Sequence, residues 1–374
     1  MKKIFALLLA LAMVFSLAAC GTTPPASTPT PQTVAPPPAD EAELNVAVFY
    51  YNFADVYISS VRSHVDEALT AIGVKYNNYD GAGNQTTQTE QIATAITNGV
   101  DLLIVNVVEN SSDDAAQNAA DAAKAAGIPI VFFNRDFGAG VINSYDASAF
   151  VGTNAPEAGH MQGELVGETL LAGYDAYDLN GDGVISYVMF KGQEGNVEAD
   201  ARTQFGVEDA DTALVAAGKS PLAFYDANNA NKYLVDQNGN WSAAAATEYM
   251  DTILAEYNEA NGNMIELVIA NNDDMAAGAV SSLQTAGYNT GEAGATVIPV
   301  FGVDAVDSAK ALINEGKMTG TIMQDAKGMA DTICALVSNI QAGNDLMSGI
   351  DAAGGYNVDA DAAKIRVPYG KYTG

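Results

Sequence analysis

Two similar segments, DLLIVN (residues 101–106) and ELVIAN (residues 266–271), give the clearest indication of the fold. Each is a short run of Leu, Ile, Val and Ala that ends in Asn. An almost continuous apolar run of this length is typical of a strand buried on both faces of a parallel sheet. The two copies lie in opposite halves of the chain. The sequence therefore predicts two similar lobes that face one another, each built around a buried sheet.

On both sides of these two segments along the sequence, apolar runs alternate with segments of helical spacing. The predicted strands are residues 44–51, 74–79, 101–107, 128–134, 149–153, 187–191, 222–226, 265–271, 297–303 and 319–323. The predicted helices are residues 55–72, 87–97, 112–126, 156–172, 199–217, 243–258, 275–286, 306–315 and 328–341. Such alternation indicates an α/β fold with doubly wound, mostly parallel sheets.

The first 20 residues predict export. Lys2 and Lys3 precede an apolar run, and the sequence Leu-Ala-Ala before Cys20 is typical of a bacterial lipoprotein signal peptide. A transmembrane anchor is the weaker interpretation because the apolar run is shorter than the roughly 20 residues that span a bilayer. We expect Cys20 to be lipidated and to anchor the protein to the outer face of the cell membrane. Residues 21–43, rich in Thr, Pro and Ala, are predicted to be a tether.

Charge and cysteine content exclude several classes of function. The formal net charge of −30 disfavours nucleic acid and anionic membrane surfaces as partners, so the lipid on Cys20 is the expected membrane contact. Cys334 is the other of the two cysteines, so no intrachain disulfide is expected once Cys20 is lipidated. Without a cluster of His and Cys, a zinc site is not expected either.

Polar side chains follow the predicted strands, where ligands bind in open α/β sheets. Asp55, Asn106, Asn272, Asp304 and Gln324 stand at or just after strand ends. Carboxylates and amides can together accept from and donate to neighbouring hydroxyl groups. The sequence therefore predicts a polyhydroxylated ligand at these strand ends.

Two aromatic residues are candidates to cover the faces of such a ligand. Trp241, the only tryptophan, lies in the polar loop NGNWS, and Tyr57 opens a predicted helix. Aromatic side chains commonly line small-molecule pockets, so we interpret both as ligand-facing rings. The alternatives are an ordinary core tryptophan and an ordinary packing tyrosine.

An enzyme is the less favoured interpretation. No Ser-His-Asp order, G-x-S-x-G motif or Gly-rich lysine loop is present. Asp55, Glu198 and Asp304 could be imagined as the paired carboxylates of a glycoside hydrolase. The amides at the other strand ends argue against this, because Asn and Gln bind hydroxyl groups but do not transfer protons.

The segment DLNGDGVIS (residues 178–186) has the pattern of a cation-binding loop. Three side chains that carry oxygen, Asp178, Asn180 and Asp182, occupy alternate positions before a glycine, as in loops that bind calcium. Val184 offers its carbonyl, and Ser186 fills the ninth position. The alternative is a solvated Asp/Asn/Gly turn. A second such stretch, Asp236-Asn238-Asn240, lacks a glycine at the sixth position and a carboxylate downstream, and it is interpreted as a loop that holds Trp241.

From residue 44 to its end the chain resembles the galactose/glucose-binding proteins, the receptors of methyl-galactoside ABC transporters. The matching motifs, in order, are NGVDLLIVNVV, IPIVFFNRD, SYD, DLNGDG, VMFKG, EADAR, IELVIANNDDMAAGAV, IPVFGVDA and RVPY. The resemblance implies a type I periplasmic binding protein fold, in which two α/β lobes joined by a three-strand hinge close on one sugar.

The resemblance also implies the contacts. The implied sugar-binding residues are Asp55, Tyr57, Asn106, Asn196, Glu198, Arg202, Trp241, Asn272, Asp304 and Gln324. The family usually has Phe, His, Asp and Asn at the positions of Tyr57, Asn196, Glu198 and Gln324, so the preferred sugar is left open. The implied calcium ligands are Asp178, Asn180, Asp182, the Val184 carbonyl, Ser186 and the distant Glu266.

By the same resemblance, residues 44–128 with 325–358 are expected to form the N-terminal lobe, and residues 129–324 with 359–374 the C-terminal lobe. The hinge is expected to be crossed near Ile128, Gln324 and Val358. The expected function is that of a monomeric, extracytoplasmic lipoprotein that binds D-galactose or D-glucose and delivers it to an ABC permease, with calcium as a structural cofactor. The alternatives are another pyranose or a pentose, or a role as sugar receptor for a chemoreceptor or a sensor kinase.

Overall fold

A computed structural model describes residues 43–374. The predicted signal peptide, the lipidation site at Cys20 and almost all of the predicted tether lie outside the described residues. Within residues 43–374, no helix is both long enough and apolar enough to cross a membrane.

Strands and helices alternate along this part of the chain. The strands are β1 (Asn45–Tyr50), β2 (Lys75–Asp80), β3 (Leu102–Val105), β4 (Ile130–Phe133), β5 (Ser148–Gly152), β6 (Ser186–Lys191), β7 (Ala223–Phe224), β8 (Leu234–Val235), β9 (Leu267–Ala270), β10 (Val300–Asp304), β11 (Gly320–Gln324), β12 (Lys364–Arg366) and β13 (Tyr369–Tyr372). The helices are α1 (Val56–Ala71), α2 (Gln85–Thr97), α3 (Asp114–Ala126), α4 (Ala139–Asn143), α5 (Ala155–Tyr177), α6 (Val197–Ala216), α7 (Ala243–Glu256), α8 (Asp273–Thr285), α9 (Asp307–Asn314) and α10 (Ala326–Gln341), with a 3₁₀ turn at Glu259–Asn261.

The N-terminal lobe contains a six-stranded sheet in the order β2-β1-β3-β4-β5-β12, and all of its strands are parallel. Successive strand residues point to opposite faces. Val46 and Val48 of β1 therefore pack in the cluster formed with α1 and α10, whereas Ala47 and Phe49 pack in the cluster formed with α2, α3 and α4. Burial on both faces explains why these strands are apolar throughout.

The C-terminal lobe contains a seven-stranded sheet in the order β7-β6-β9-β10-β11-β13, with β8 also pairing with β6. Its strands are parallel except for β13, which runs antiparallel to β11. Helix α5 packs along α6, and α7 packs along α8. The prediction of two α/β lobes with parallel sheets is confirmed.

The strand pairing differs from the predicted lobe boundaries at two places. Strand β4 pairs with β3 and β5 pairs with β4, so the N-terminal lobe runs to Gly152 and not to residue 128. Strand β12 pairs with β5, so the last crossing lies after Arg366 and not near Val358. Only the crossing at the end of β11, near Gln324, agrees with the prediction. Buried parallel strands are apolar in both lobes, so the sequence of a strand does not show to which sheet it belongs. That depends on which neighbouring strands it pairs with.

The outer two crossings are tied together. The Thr153 and Tyr369 hydroxyl oxygens lie 2.7 Å apart, and the Val367 amide donates to the Gly152 carbonyl at 2.8 Å. The Arg366 guanidinium donates to the Thr153 carbonyl at 2.7 Å. Residues on both sides of the hinge are therefore held in one hydrogen-bonded group.

Candidate functional site

A cavity lies between the lobes, at the carboxyl ends of the strands. Nine of the ten predicted sugar contacts line it, together with four other residues. The lining residues are Tyr51, Asp55, Tyr57, Ile58, Asn134, Arg135, Asn196, Glu198, Arg202, Trp241, Asn272, Asp304 and Gln324. All nine predicted residues except the half-buried Asp55 are buried, so the lobes are closed around the cavity.

Three of the predicted residues begin helices. Asp55 Oδ1 accepts from the Ile58 amide at 2.8 Å, Asn196 Oδ1 from the Ala199 amide at 2.9 Å, and Asn272 Oδ1 from the Met275 amide at 3.0 Å. Each is the N-cap of its helix, a position that Asp and Asn favour because the side chain satisfies a free amide. The cap fixes the direction of the side chain and leaves its second polar atom for another partner.

Asn106 lies behind the cavity wall and is not one of the residues that line it. Its Oδ1 accepts from the Tyr51 amide at 3.2 Å, and its Nδ2 donates to the Phe133 carbonyl and to Asn134 Oδ1, each at 3.2 Å. The side chain is fully buried. Asn106 therefore orients two lining residues, Tyr51 and Asn134, instead of supplying part of the wall itself.

Sequence reasoning missed three polar lining residues of the N-terminal lobe. The guanidinium of Arg135 lies over the Tyr51 ring, 3.5 Å from its centroid, and donates to the Val108 carbonyl. The Tyr51 hydroxyl donates to Asp55. Asn134 and Arg135 directly follow strand β4, so the rule that ligands bind at strand ends applied to them as well.

Arg202 organises the wall of the C-terminal lobe. Its NH1 donates to the Asn271 carbonyl at 2.8 Å, and its NH2 donates to Gln324 Oε1 at 3.2 Å and to the Tyr369 hydroxyl at 3.3 Å. Its guanidinium carbon is 5.7 Å from the centroid of the Trp241 ring. These contacts fix the guanidinium plane before any ligand binds.

Three buried donors of the cavity lining, one from the N-terminal lobe and two from the C-terminal lobe, lack a hydrogen-bond partner among residues 43–374. They are the Tyr57 hydroxyl, Nε of Arg202 and Nε1 of Trp241. A buried polar group without a partner costs roughly 1–3 kcal/mol, so such groups are rare in folded proteins. All three belong to residues that line one cavity, which indicates a ligand with several oxygen acceptors.

The charges of the lining residues favour a neutral ligand. Three carboxylates (Asp55, Glu198 and Asp304) face two guanidiniums (Arg135 and Arg202). Burial raises the pKa of Asp304 well above its usual range, a shift that the Arg202 charge opposes and the Asp273 charge reinforces. With the neutral form of Asp304 favoured in this way, the lining carries no excess of positive charge to attract an anionic ligand, whereas hydroxyl groups can pair with both the carboxyl groups and the guanidiniums.

The backbone takes unusual conformations at the cavity. Positive φ angles occur at Asn134 (65°), Trp241 (56°), Asp304 (119°) and Ala305 (55°). Residues other than glycine rarely adopt them, and such outliers concentrate where ligands bind.

The loop before Trp241 is held by Asp236, as predicted for residues 236–240. Asp236 accepts from the Asn238 amide at 2.9 Å and from the Ser242 hydroxyl at 2.8 Å. Asn272 Nδ2 donates to the Trp241 carbonyl at 3.0 Å, which ties the loop to helix α8.

The predicted ion loop lies at the other end of β6 from the cavity. Asp178 accepts from the amides of Asp182 and Gly183 at 3.1 and 2.9 Å, and Asp182 accepts from the Val184 amide at 2.8 Å. In residues 43–374, no group of three or more His, Cys, Asp and Glu side chains is arranged to hold a metal ion.

The Glu266 side chain hydrogen bonds to the backbone of this loop. It is fully buried and accepts from the Leu179 amide at 2.7 Å and from the Ser186 amide at 2.9 Å. Ser186 Oγ instead donates to the Met264 carbonyl at 2.7 Å. Glu266, which directly precedes β9, therefore contacts the backbone of the loop, whereas the Ser186 hydroxyl is turned away from the loop and towards Met264.

Comparison with known proteins places the whole fold in one family. A sequence profile of the periplasmic binding protein domain matches residues 46–345. The D-galactose/methyl-galactoside binding periplasmic protein of Haemophilus influenzae is 32% identical over 330 residues, which cover 88% of this chain and 89% of that protein. The ribose import binding protein of Bacillus subtilis is 22% identical over 94% of this chain and 97% of that protein.

Solved structures share the fold at lower identity. An ABC transporter solute binding protein from Bacillus halodurans with bound myo-inositol is 22% identical, with a TM-score of 0.66 over 90% of this chain and 96% of that chain. An ABC transporter periplasmic solute binding protein from Actinobacillus succinogenes with bound D-allose is 19% identical, with a TM-score of 0.65 over 88% of this chain and 97% of that chain. The chain belongs to the periplasmic binding protein family.

Proposed function

We propose that this protein binds a hexose, D-galactose or D-glucose, between its two lobes and delivers it to the permease of an ABC transporter. The observation that carries the proposal is the set of three buried donors (Tyr57 Oη, Arg202 Nε and Trp241 Nε1) that have no partner in residues 43–374 and line one closed cavity. The 32% identity to a galactose-binding protein over most of both chains supports the choice of sugar.

In the proposed mechanism, the sugar first contacts one lobe and the second lobe then closes over it. Asp55 and Asn134 would accept and donate hydrogen bonds from the N-terminal lobe, and Arg202 and Asp304 from the C-terminal lobe. Closure would be favoured because the donors of the C-terminal wall gain partners only when the ligand lies between the lobes. Hinge closure of this kind is common among binding proteins.

The sugar could also be another pyranose or a pentose. Relatives at lower identity are described as binding ribose, and structural neighbours hold myo-inositol and D-allose. The closed form could instead be recognised by a chemoreceptor or a sensor kinase. We propose binding without catalysis, because the strand ends carry amides beside the carboxylates.

We further propose that the protein acts outside the cytoplasm, as its family does, and is held on the outer face of the membrane by a lipid on Cys20. The motif Leu-Ala-Ala-Cys supports the lipid anchor. Blocking signal peptidase II in cells that express the protein would test it. The protein should accumulate as the uncleaved precursor, and unchanged processing would contradict the anchor.

Calcium is proposed as a structural cofactor of the loop at residues 178–186. The side chains of Asp178, Asn180, Asp182 and Glu266, with the Val184 carbonyl, form an oxygen-only set of the type that calcium prefers. Bound calcium would neutralise the carboxylates of the loop. Ser186 is the weakest member of the set, because its hydroxyl hydrogen bonds to Met264.

The direct test of sugar binding uses the only tryptophan of the sequence, Trp241, as the probe. Fluorescence of the mature protein should change saturably with D-galactose or D-glucose. D-ribose, D-allose and myo-inositol in the same panel test the alternative ligands, and a larger response to one of them would replace the assignment to D-galactose or D-glucose. No response to any of the five would contradict the sugar proposal, and release of phenol from aryl-glycosides would contradict the absence of catalysis.

A further inference from the structure

Contacts between the lobes concentrate on two residues of the C-terminal lobe, Asn196 and Glu198. Glu198 Oε1 accepts from the Asp136 amide at 2.8 Å, and Oε2 accepts from Asn110 Nδ2 at 3.0 Å. Asn196 Nδ2 donates to Asn110 Oδ1 at 2.8 Å. Asn110 and Asp136 both belong to the N-terminal lobe, so three hydrogen bonds cross the cleft within one small group of side chains.

The side chains of Asn110, Asn196 and Glu198 are buried, and each hydrogen bonds to another member of the group. Asn110 is 3% exposed, Asn196 1% and Glu198 6%. The Asn110 amide is paired through both its oxygen and its nitrogen, and the remaining oxygen of Asn196 caps helix α6. Because Asn110 does not line the cavity, its contacts serve closure and not the ligand.

The partner on the N-terminal side is held by charged residues next to the hinge. Asp136 accepts from Lys364 Nζ and from Arg366 NH1, each at 2.7 Å. Both belong to β12, the last strand before the third crossing. The Asp136 amide that Glu198 meets therefore has a fixed position.

We propose that Asn110, Asn196 and Glu198 form a latch that sets the equilibrium between open and closed lobes. This rests on the proposed function, since closure on a ligand is what the latch would tune. The latch assigns a binding role to Asn110, which touches no part of the cavity. It also means that Asn196 and Glu198 contribute to affinity through contacts between the lobes. In the open protein these three groups exchange their partners for water.

The test replaces the neutral amide of the latch by a carboxylate. Asn110→Asp puts two carboxylates together across the cleft, and we expect D-galactose affinity to fall about 10- to 100-fold, since facing like charges are strongly unfavourable at buried contacts. Adding Glu198→Gln restores complementary partners: the introduced amide nitrogen donates to the introduced carboxylate, and its oxygen still accepts from the Asp136 amide. Glu198→Gln alone is the reference for any direct contact of Glu198 with the sugar, and adding Asn110→Asp to it should cause no further loss of affinity, so the two losses should not add.

The matched control is Glu109→Gln, in the same loop but on an exposed side chain, which should leave affinity unchanged. Circular dichroism confirms folding, and Asn110→Ala is the milder variant if Asn110→Asp does not fold. The latch would be overturned if Asn110→Asp and Asn110→Ala both bound sugar like wild type, or if the losses from Asn110→Asp and Glu198→Gln simply added in the double variant. If wild type binds no sugar, the proposed function fails. The latch is then judged by small-angle scattering of the ligand-free proteins, in which Asn110→Asp should raise the radius of gyration and the double variant should reverse the increase.

Discussion

Gly192 makes the space that the Trp241 ring occupies: a methyl group on its Cα would lie 2.1 Å from two carbons of the indole. No side chain can be added there without moving the ring. Since Trp241 forms one wall of the cavity, Gly192→Ala should lower sugar affinity by at least tenfold. The measurement is a titration followed by calorimetry, which does not depend on the fluorescence of the displaced tryptophan.

Gly140→Ala is the control for this variant, because a methyl group at Gly140 meets nothing within 4 Å. It should bind sugar like wild type. Equal affinities for Gly192→Ala and Gly140→Ala would show that the position of Trp241 does not matter for binding.

Tyr57→Phe should affect stability and binding in opposite directions. Its buried hydroxyl has no partner within residues 43–374 of the ligand-free protein, so removing it should leave stability unchanged or raise it by up to about 1 kcal/mol. The same hydroxyl would contact the sugar, so affinity should fall about five- to tenfold, the usual range for a lost hydrogen bond. Chemical denaturation and titration measure the two effects.

Tyr50→Phe provides the comparison, since the Tyr50 hydroxyl is also buried without a partner in the described residues but lies in the core of the N-terminal lobe. Tyr50→Phe should have the same stability as Tyr57→Phe and the same sugar affinity as the wild-type protein. A loss of affinity in both variants would point to a general effect on the lobe and away from a ligand contact.

The stability of the ligand-free protein should depend on pH through Asp273. Burial raises the pKa of Asp273 to about 7. The hydrogen bonds that its carboxylate accepts from Thr321 and from the Val306 amide act in the opposite direction and only partly offset this increase. Between the unfolded pKa near 4 and this value, the native state holds a proton that the unfolded state has lost. This group therefore lowers the free energy of unfolding as pH rises, by at most about 1.4 kcal/mol per pH unit.

Denaturation of wild type and Asp273→Asn between pH 5 and pH 8 tests this dependence. The difference in stability between the two proteins should change with pH up to about 7 and level off above it. A difference that is the same at every pH would show that Asp273 is ionised throughout.

Calcium should raise the melting temperature of the chelated protein, because a ligand that binds only the native state stabilises it. Asp182→Asn should reduce the rise by weakening the loop at residues 178–186. The matched control is Asp351→Asn, since Asp351 also accepts a local backbone amide, that of Ala353 at 2.9 Å, in an exposed turn. Identical melting curves with calcium and with chelator in wild type would contradict the calcium proposal.

Much of the fold follows from the sequence because both kinds of element carry a clear periodicity. The buried runs predicted nearly all of the long strands, and all helices of residues 43–374 except the short α4 were predicted, most with ends within two residues of those in the structure. Helix α5 extends to Tyr177, five residues beyond its predicted end. The short strands β8, β12 and β13 were missed because two to four residues give no pattern. The first and last lobe crossings were misplaced for a related reason, since pairing of β4, β5 and β12 depends on neighbours that are distant in sequence.

The candidate site was predictable to the extent that its residues stand at strand ends. That rule, with the family resemblance, located nine lining residues correctly. It could not show that Asn106 stands behind the wall, because one layer of side chains cannot be told from the next in a sequence. Nor could it show that Glu198 reaches the opposite lobe, since this depends on how far the lobes close.

The last residues of the chain belong to both lobes at once. β12 completes the sheet of the N-terminal lobe, and only two residues later β13 starts the edge of the other sheet. Neither lobe can therefore complete its sheet during synthesis until residues 364–372 have been made. A deletion of the final eleven residues would take an edge strand from both sheets and remove the third connection between them, so the two lobes are one folding unit despite their separate cores.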